Sequence, residues 1–194
     1  MRDRDSQRRP RKPRADSEQN RARIIEAARL RFSTGGAGTA LEQIARDAGL
    51  GIGTLYRHFP TRDALIDAVY RKEVDTLVDA ATALTNSLPP EEALRTWLEL
   101  FVDFLDTKQR IAELLNTLVG GAEPLYASTP ARLLPPISML VQAANDGGDM
   151  RLNLEPLDLL RAIVGIATTR PGPNWKEQSM GLVDLVLRGA RVVH

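Results

Sequence analysis

Apolar residues recur every three or four positions along nearly the whole chain, the period that places side chains on one face of an α-helix. Ile24, Ile25, Ala27, Ala28, Leu30 and Phe32 keep that spacing between Ser17 and Ser33, and Gly35-Gly36 follows as a stop. Thr39 stands ahead of Leu41, Ile44 and Ala45 with Glu42 three positions on, a Thr-x-x-Glu capping box that starts a second helix running to about Asp47. Ala48-Gly49-Leu50-Gly51 breaks it, and a short third helix covers Ile52 to His58. Phe59-Pro60-Thr61 leads into a fourth carrying Leu65, Val69, Leu77, Val78 and Ala81 to about Leu84, a rod of roughly 36 Å. Pro89-Pro90-Glu91-Glu92 reads as the next start, acidic where the helix dipole favours it, with Leu94, Trp97, Leu98, Phe101, Phe104 and Leu105 on one face. Ile111, Leu114, Leu115 and Leu118 form a further helix closed by Gly120-Gly121. Pro124, Pro130, Pro135 and Pro136 speak against a regular element over 123–134, and helical pattern resumes from about Ile137 to Asn145. Glu155 to Thr169 and Lys176 to Val192 supply the last two helices. Strand-like alternation is scarce, so the expected fold is all-α with about nine helices.

The 194 residues suit one compact unit or two small ones sharing a core, and 43% hydrophobic with 26% charged residues is an ordinary globular composition. The absence of Cys removes disulfides, thiolate nucleophiles and zinc-thiolate sites together. No apolar run approaches the roughly 18 residues of a membrane-spanning helix, and no apolar segment follows the basic N-terminus. The expectation is a cytoplasmic protein that neither spans a membrane nor is secreted. A net charge of +1 hides a polarity along the chain: residues 1–75 hold 16 basic and 11 acidic side chains, residues 76–194 hold 10 and 14. The excess is sharpest at Arg2, Arg4, Arg8, Arg9, Arg11, Lys12 and Arg14, against only Asp3 and Asp5. Pro10 and Pro13 keep that stretch from becoming a helix, leaving either a solvated tail or an arm suited to phosphates or a minor groove.

The second and third helices, with their glycine turn, make a helix-turn-helix. Thr39, also a candidate DNA contact, and Glu42 cap it, Ile44, Ala45, Leu50 and Leu55 lock the two helices, and Gly49 makes the turn. Gly51, Gly53 and Thr54 keep the start of the third helix slim enough to approach the floor of a major groove about 12 Å wide. Over roughly Arg23 to Leu65 the chain resembles the TetR/AcrR family of bacterial one-component transcriptional regulators. The likeness is carried by Ile24-Ile25-x-Ala27-Ala28, Phe32, Ile44-Ala45-x-x-Ala48-Gly49 and Gly53-Thr54-Leu55-Tyr56-x-His58-Phe59, then Arg62 and Leu65. The resemblance implies that Tyr56 and His58 reach phosphate oxygens, that Thr54 lies at the groove, and that Arg62 binds a phosphate from the start of the fourth helix. Base reading falls to Ile52, Thr54 and Arg57, of which Arg57 alone can grip guanine with two bonds. Ala40 and Glu42 depart from the family pattern, the first lacking a hydroxyl and the second being acidic where many relatives are basic.

The resemblance further implies a homodimer that binds an inverted-repeat DNA operator and is released by a small apolar or amphipathic effector. Residues 1–16 are then a disordered basic arm and 17–62 the DNA-binding unit, with the fourth helix linking from 61. Residues 63–194 form the effector-binding and dimerisation domain. Trp97, Phe101, Phe104, Tyr126, Met139 and Trp175 are candidates for the effector cavity, with Asn116, Gln142 or Asn174 to orient a ligand; the aromatic residues of the fifth helix serve equally well as plain core. The closing helices carry more apolar surface than one core needs, which nominates Leu159, Ile163, Ile166, Leu182, Val183, Val186 and Leu187 for a subunit interface or for two buried helices. An enzyme fares poorly: Gly-x-Ser-x-Gly, a Gly-x-x-x-x-Gly-Lys loop and His-Glu-x-x-His are all missing, and neither metal nor cofactor is implied. The competing reading is an architectural or activator-type DNA-binding protein without an effector.

Overall fold

Side-chain spacing translates directly into helices in the computed structural model, which describes residues 13–169, 172 and 174–192. In chain order these are α1 (Pro13–Gly35), a 3-10 turn (Gly36–Gly38), α2 (Leu41–Asp47), α3 (Ile52–His58), α4 (Arg62–Ser87) and α5 (Pro90–Arg110). They continue with α6 (Ala112–Asn116), α7 (Glu123–Asp146), α8 (Pro156–Thr169) and α9 (Trp175–Gly189). α1 begins four residues before the anticipated start, so residues 13–16 are not part of a disordered arm: Pro13 sits in the first helical turn, where its missing N–H is no loss.

The buried stripe of α1, Ile24, Ile25, Ala28 and Phe32, packs on α2, α3 and the beginning of α4, while Leu30, expected on that stripe, is exposed. α4 runs on for 26 residues, about 39 Å, and its remaining buried face meets α5 and α7. It is therefore a long element common to the N-terminal and C-terminal helices, with α1 adding a smaller contact to α5. Its start is capped by Thr61, whose hydroxyl accepts from the Ala64 N–H at 3.1 Å. α5 presents Leu94, Trp97, Leu98, Phe101 and Leu105 inward, and the Trp97 indole donates to the Leu77 carbonyl of α4 at 2.8 Å.

α7 corrects the reading of 123–134 as irregular, since one helix runs through Pro130, Pro135 and Pro136. Each interior proline costs about 3 kcal/mol. Against that, Leu125, Leu133, Ile137, Leu140 and Val141 are buried against α4 and α5, at about 1.5–3 kcal/mol apiece, an effect of the same size or larger. Their three-and-four spacing passes straight through the prolines.

α8 and α9 close the bundle. Arg95–Asp184, Arg191–Glu91 and Lys176 between Asp103 and Asp106 tie α5 to α9 across its length. An isolated antiparallel bridge between Met150 and Arg191 pins the end of α9. Among the described residues no helix is long and apolar enough to cross a membrane.

Candidate nucleic-acid interface and effector cavity

The turn between α2 and α3 is set by glycine. Gly49 has φ +64°, the left-handed region open to residues without a Cβ, and a Cβ there would lie 2.5 Å from the Arg23 guanidinium. Its N–H bonds the Arg46 carbonyl at 2.9 Å, and the Leu50 N–H reaches back to Ala45 at 2.9 Å, the paired bonds of a Schellman stop. Ile44, Ala45, Leu55 and Phe59 are buried beneath it and Leu50 half-buried, so α3 is locked to α2 from one side only.

The other side faces outward. Gly51, Gly53, Tyr56 and Arg57 are exposed, Ile52, Thr54 and His58 half-buried, and Tyr56 leaves 46% of its surface to solvent. A Cβ built on Gly51 or Gly53 would meet nothing within 4 Å. Neither glycine is required by packing within the chain, and both keep the exposed start of α3 slim. The structure thus leaves Gly51, Gly53, Thr54, Tyr56 and Arg57 on the open side of α3, while Ile52 packs against the core and His58 lies at the side of the helix near Arg21 and Arg71.

Two further candidates are differently placed. Thr39 is buried and does not cap α2: its hydroxyl donates backwards to the Arg31 carbonyl at 3.2 Å, the N-cap position belongs to Ala40, and neither Thr39 nor Glu42 completes a capping box. A hydroxyl engaged inside the domain is not one offered to a phosphate. Arg62 donates to the Thr39 carbonyl at 2.6 Å and lies over the Phe32 ring at 5.3 Å, so it braces the start of α4 against α1 and the 3-10 turn. Arg31 pairs with Asp47 between α1 and α2, which holds the Asp47 carboxyl below its ordinary value. Arg8, Arg9, Arg11 and Lys12 lie outside the described residues, as does His194.

A partly open cavity of about 350 Å³ lies between α4, α5, α7 and α8. Phe101, Phe104 and Tyr126 line it as anticipated. Trp97 does not: it is fully buried and stacked on Phe101 with ring centroids 6.0 Å apart, behind the wall. Asn116, Met139, Gln142 and Asn174 are exposed elsewhere, and Trp175, though buried, is not in the lining. Sequence reasoning missed Tyr70, Lys108, Thr129 and Arg161, contributed by four different helices. Tyr70 lies 5.9 Å from the Phe104 ring and 6.0 Å from Tyr126. Thr129 gives its single proton to the Leu125 carbonyl at 2.8 Å, so in its 2.9 Å bond with Tyr70 the phenol is the donor. Burial raises the Tyr70 pKa and keeps the phenol neutral. Lys108 places its ammonium 3.8 Å from the centre of the Tyr126 ring, and burial lowers its pKa from the usual lysine value. Among the described residues no cluster of three or more His, Asp or Glu could hold a metal ion.

The suggested subunit interface also needs correction. Leu159, Ile163, Val183 and Leu187 are buried within the chain, because α8 and α9 turn these residues onto the core. Ile166, Leu182 and Val186 remain half-buried, and Leu185, not among the candidates, is 62% exposed.

Residues 24–69 match the family described as bacterial regulatory proteins, tetR family, and residues 89–192, more than half the chain, match the C-terminal domain of SbtR-like transcriptional regulators. The chain belongs to the TetR family. A solved TetR transcriptional regulator from Streptomyces coelicolor is 40% identical, with a TM-score of 0.78 over 90% of this chain and 99% of that one. A TetR transcription regulatory protein from Mycobacterium vanbaalenii is 30% identical, with a TM-score of 0.73 over 92% of this chain and 99% of its own. An HTH-type transcriptional regulator of Staphylococcus aureus (strain USA300) is 36% identical over 66 residues, 34% of this chain and 36% of that protein. The chain spans about a third of the length of the curated relatives it matches. Resemblance to them is thus confined to about a third of this chain, whereas the likeness to the solved TetR structures extends over 90% or more of it.

Proposed function

We propose that this TetR-family protein is a dimeric cytoplasmic repressor that sets α3 of each subunit into the major groove of an inverted-repeat operator and leaves the DNA when a small molecule fills the cavity beside α4. The observation that carries the reading is the outward ridge of α3, with glycines that no internal packing demands beside the exposed Tyr56 and Arg57. Tyr56 and His58 donate to phosphates, Arg57 reads a base edge, and Ile52 and Thr54 supply close apolar and hydroxyl contact. Residues 1–12, with Arg8, Arg9, Arg11 and Lys12, add counterion-releasing contacts along the backbone.

One such ridge binds weakly, and pairing supplies the second half-site. The apolar stripe left outside the core, Ile166 on α8 with Leu182 and Leu185 on α9, is the surface a four-helix pairing with a second copy would cover. Release runs through α4. Tyr70 lines the cavity and lies eight residues, about 12 Å, along the same helix from Arg62, which holds the Thr39 carbonyl. A ligand that displaces Tyr70 therefore shifts the seat of the helix-turn-helix, and full release requires it to favour the released arrangement by several kcal/mol.

Selection of bound duplexes from a random pool, followed by titration of the enriched sequence, tests this reading. The expected outcome is a two-fold symmetric motif whose affinity drops on Tyr56→Phe or His58→Ala while helicity and subunit mass are unchanged. A pool with no enriched motif would instead favour the architectural alternative, a binder indifferent to sequence.

A further inference from the structure

The cavity beside α4 has an uneven chemistry. Apart from Lys108 and Arg161 its lining is neutral, dominated by Phe101, Phe104, Leu133 and Leu160, and it includes no Asp or Glu. Arg161 is largely exposed and already paired with Asp158 at 2.6 Å. Lys108 is different. It makes no ion pair among the described residues, and its ammonium stands over the face of the Tyr126 ring. Glu123, the acid that acts on Tyr126 electrostatically, does not approach Lys108 closely enough to pair with it. A half-buried ammonium held against an aromatic face, without an acid, leaves charge-assisted donor capacity aimed into an apolar space.

Resting on the effector role proposed above, we infer that the cavity takes an amphipathic monoanion, an aliphatic or arylalkyl carboxylate whose apolar body lies along Phe101, Phe104 and Leu160 and whose head is held by Lys108. The Tyr70 phenol, committed to Thr129, walls the body and does not bind the head. Neutral molecules of the same shape would gain only the apolar contact, and cations would meet Lys108 as a like charge.

Isothermal titration of the full-length protein with octanoate, 1-octanol and octylammonium tests the head group while holding the chain constant. Octanoate is expected to bind about tenfold more tightly than octanol, and octylammonium more weakly than either. Lys108→Met should bring the octanoate-to-octanol ratio to about one, and Lys108→Glu should turn the preference toward octylammonium; circular dichroism confirms that each variant is folded. Equal binding of octanoate and octanol, or a preference that survives Lys108→Met, overturns the anion while leaving the cavity a ligand site. Failure of all three chains to bind overturns both the anion and the cavity, and leaves the DNA-binding ridge to be judged by its own titration.

Discussion

Gly53 shows how a single residue separates folding from function. In the first turn of a seven-residue helix it is a poor choice by propensity, and alanine there would favour the helix by up to about 1 kcal/mol. Open space surrounds the position where the methyl group would stand. Gly53→Ala is therefore expected to raise thermal stability slightly and to weaken operator binding, measured by melting and by fluorescence anisotropy on the same preparation; an unchanged affinity would show that nothing approaches α3 at that point. Thr39 illustrates the opposite relation. Its spacing to Glu42 spells a capping box, yet a hydroxyl at the mouth of a helix can bond forwards or backwards, and here the Arg31 carbonyl eight residues upstream captures it. Lys108 was equally hard to read, because a lysine following an amphipathic stripe looks like a solvated side chain until the helices that enclose it are in place.

Among the elements, α1, α2 and α3 were legible since their buried residues are close in sequence and their stops are local, glycines after α1 and α2 and Phe59-Pro60 after α3. α7 was not, because proline statistics are local whereas the packing that overrides them comes from α4 and α5. α9 is apolar on nearly every side, so the pattern could not say that Val183 and Leu187 turn inward while Leu185 turns out. The contact of α1 with α4 contains a testable charge. Glu73 sits 3.8 Å from Arg29, which is also held by Glu26 at 2.6 Å. Burial raises the Glu73 pKa more than Arg29 lowers it. An acid with a folded-state pKa above its unfolded one holds its proton longer in the native state, so its contribution to stability is present below the ordinary glutamate range and is lost as pH rises through the raised value. Glu73→Gln should consequently gain stability relative to the parent as pH is raised from about 4 to 8. Urea denaturation of both proteins across that range checks it, and a parent that gains on the variant as pH rises would contradict it. Asp47, with a lowered value, acts in the opposite sense at lower pH and cancels in the difference, whereas Glu26 shares Arg29 with Glu73 and helps to raise its pKa, so the comparison reads the Glu26–Arg29–Glu73 cluster as a unit.

At the scale of the molecule, the basic excess of residues 1–75 and the acidic excess of the remainder place the polyanion-facing work at one end. Removing residues 1–12 keeps the beginning of α1 intact and should flatten the dependence of operator affinity on salt, by about 0.9 in the logarithmic slope for each phosphate no longer neutralised. A slope identical to that of the full chain would mean that those arginines touch no DNA. The cavity could not be read from the chain because its walls come from helices up to 95 residues apart, Tyr70 to Gly165, and proximity in three dimensions has no local signature. The measurement that bears most directly on the whole account is guanine N7 methylation interference on the selected operator, which reports the major groove alone. Two symmetry-related patches of interference on one face of the duplex, with a guanine in each that ceases to matter when Arg57 is replaced by alanine, are the predicted result. A single patch, or full binding to duplexes methylated at every guanine of the site, would contradict it.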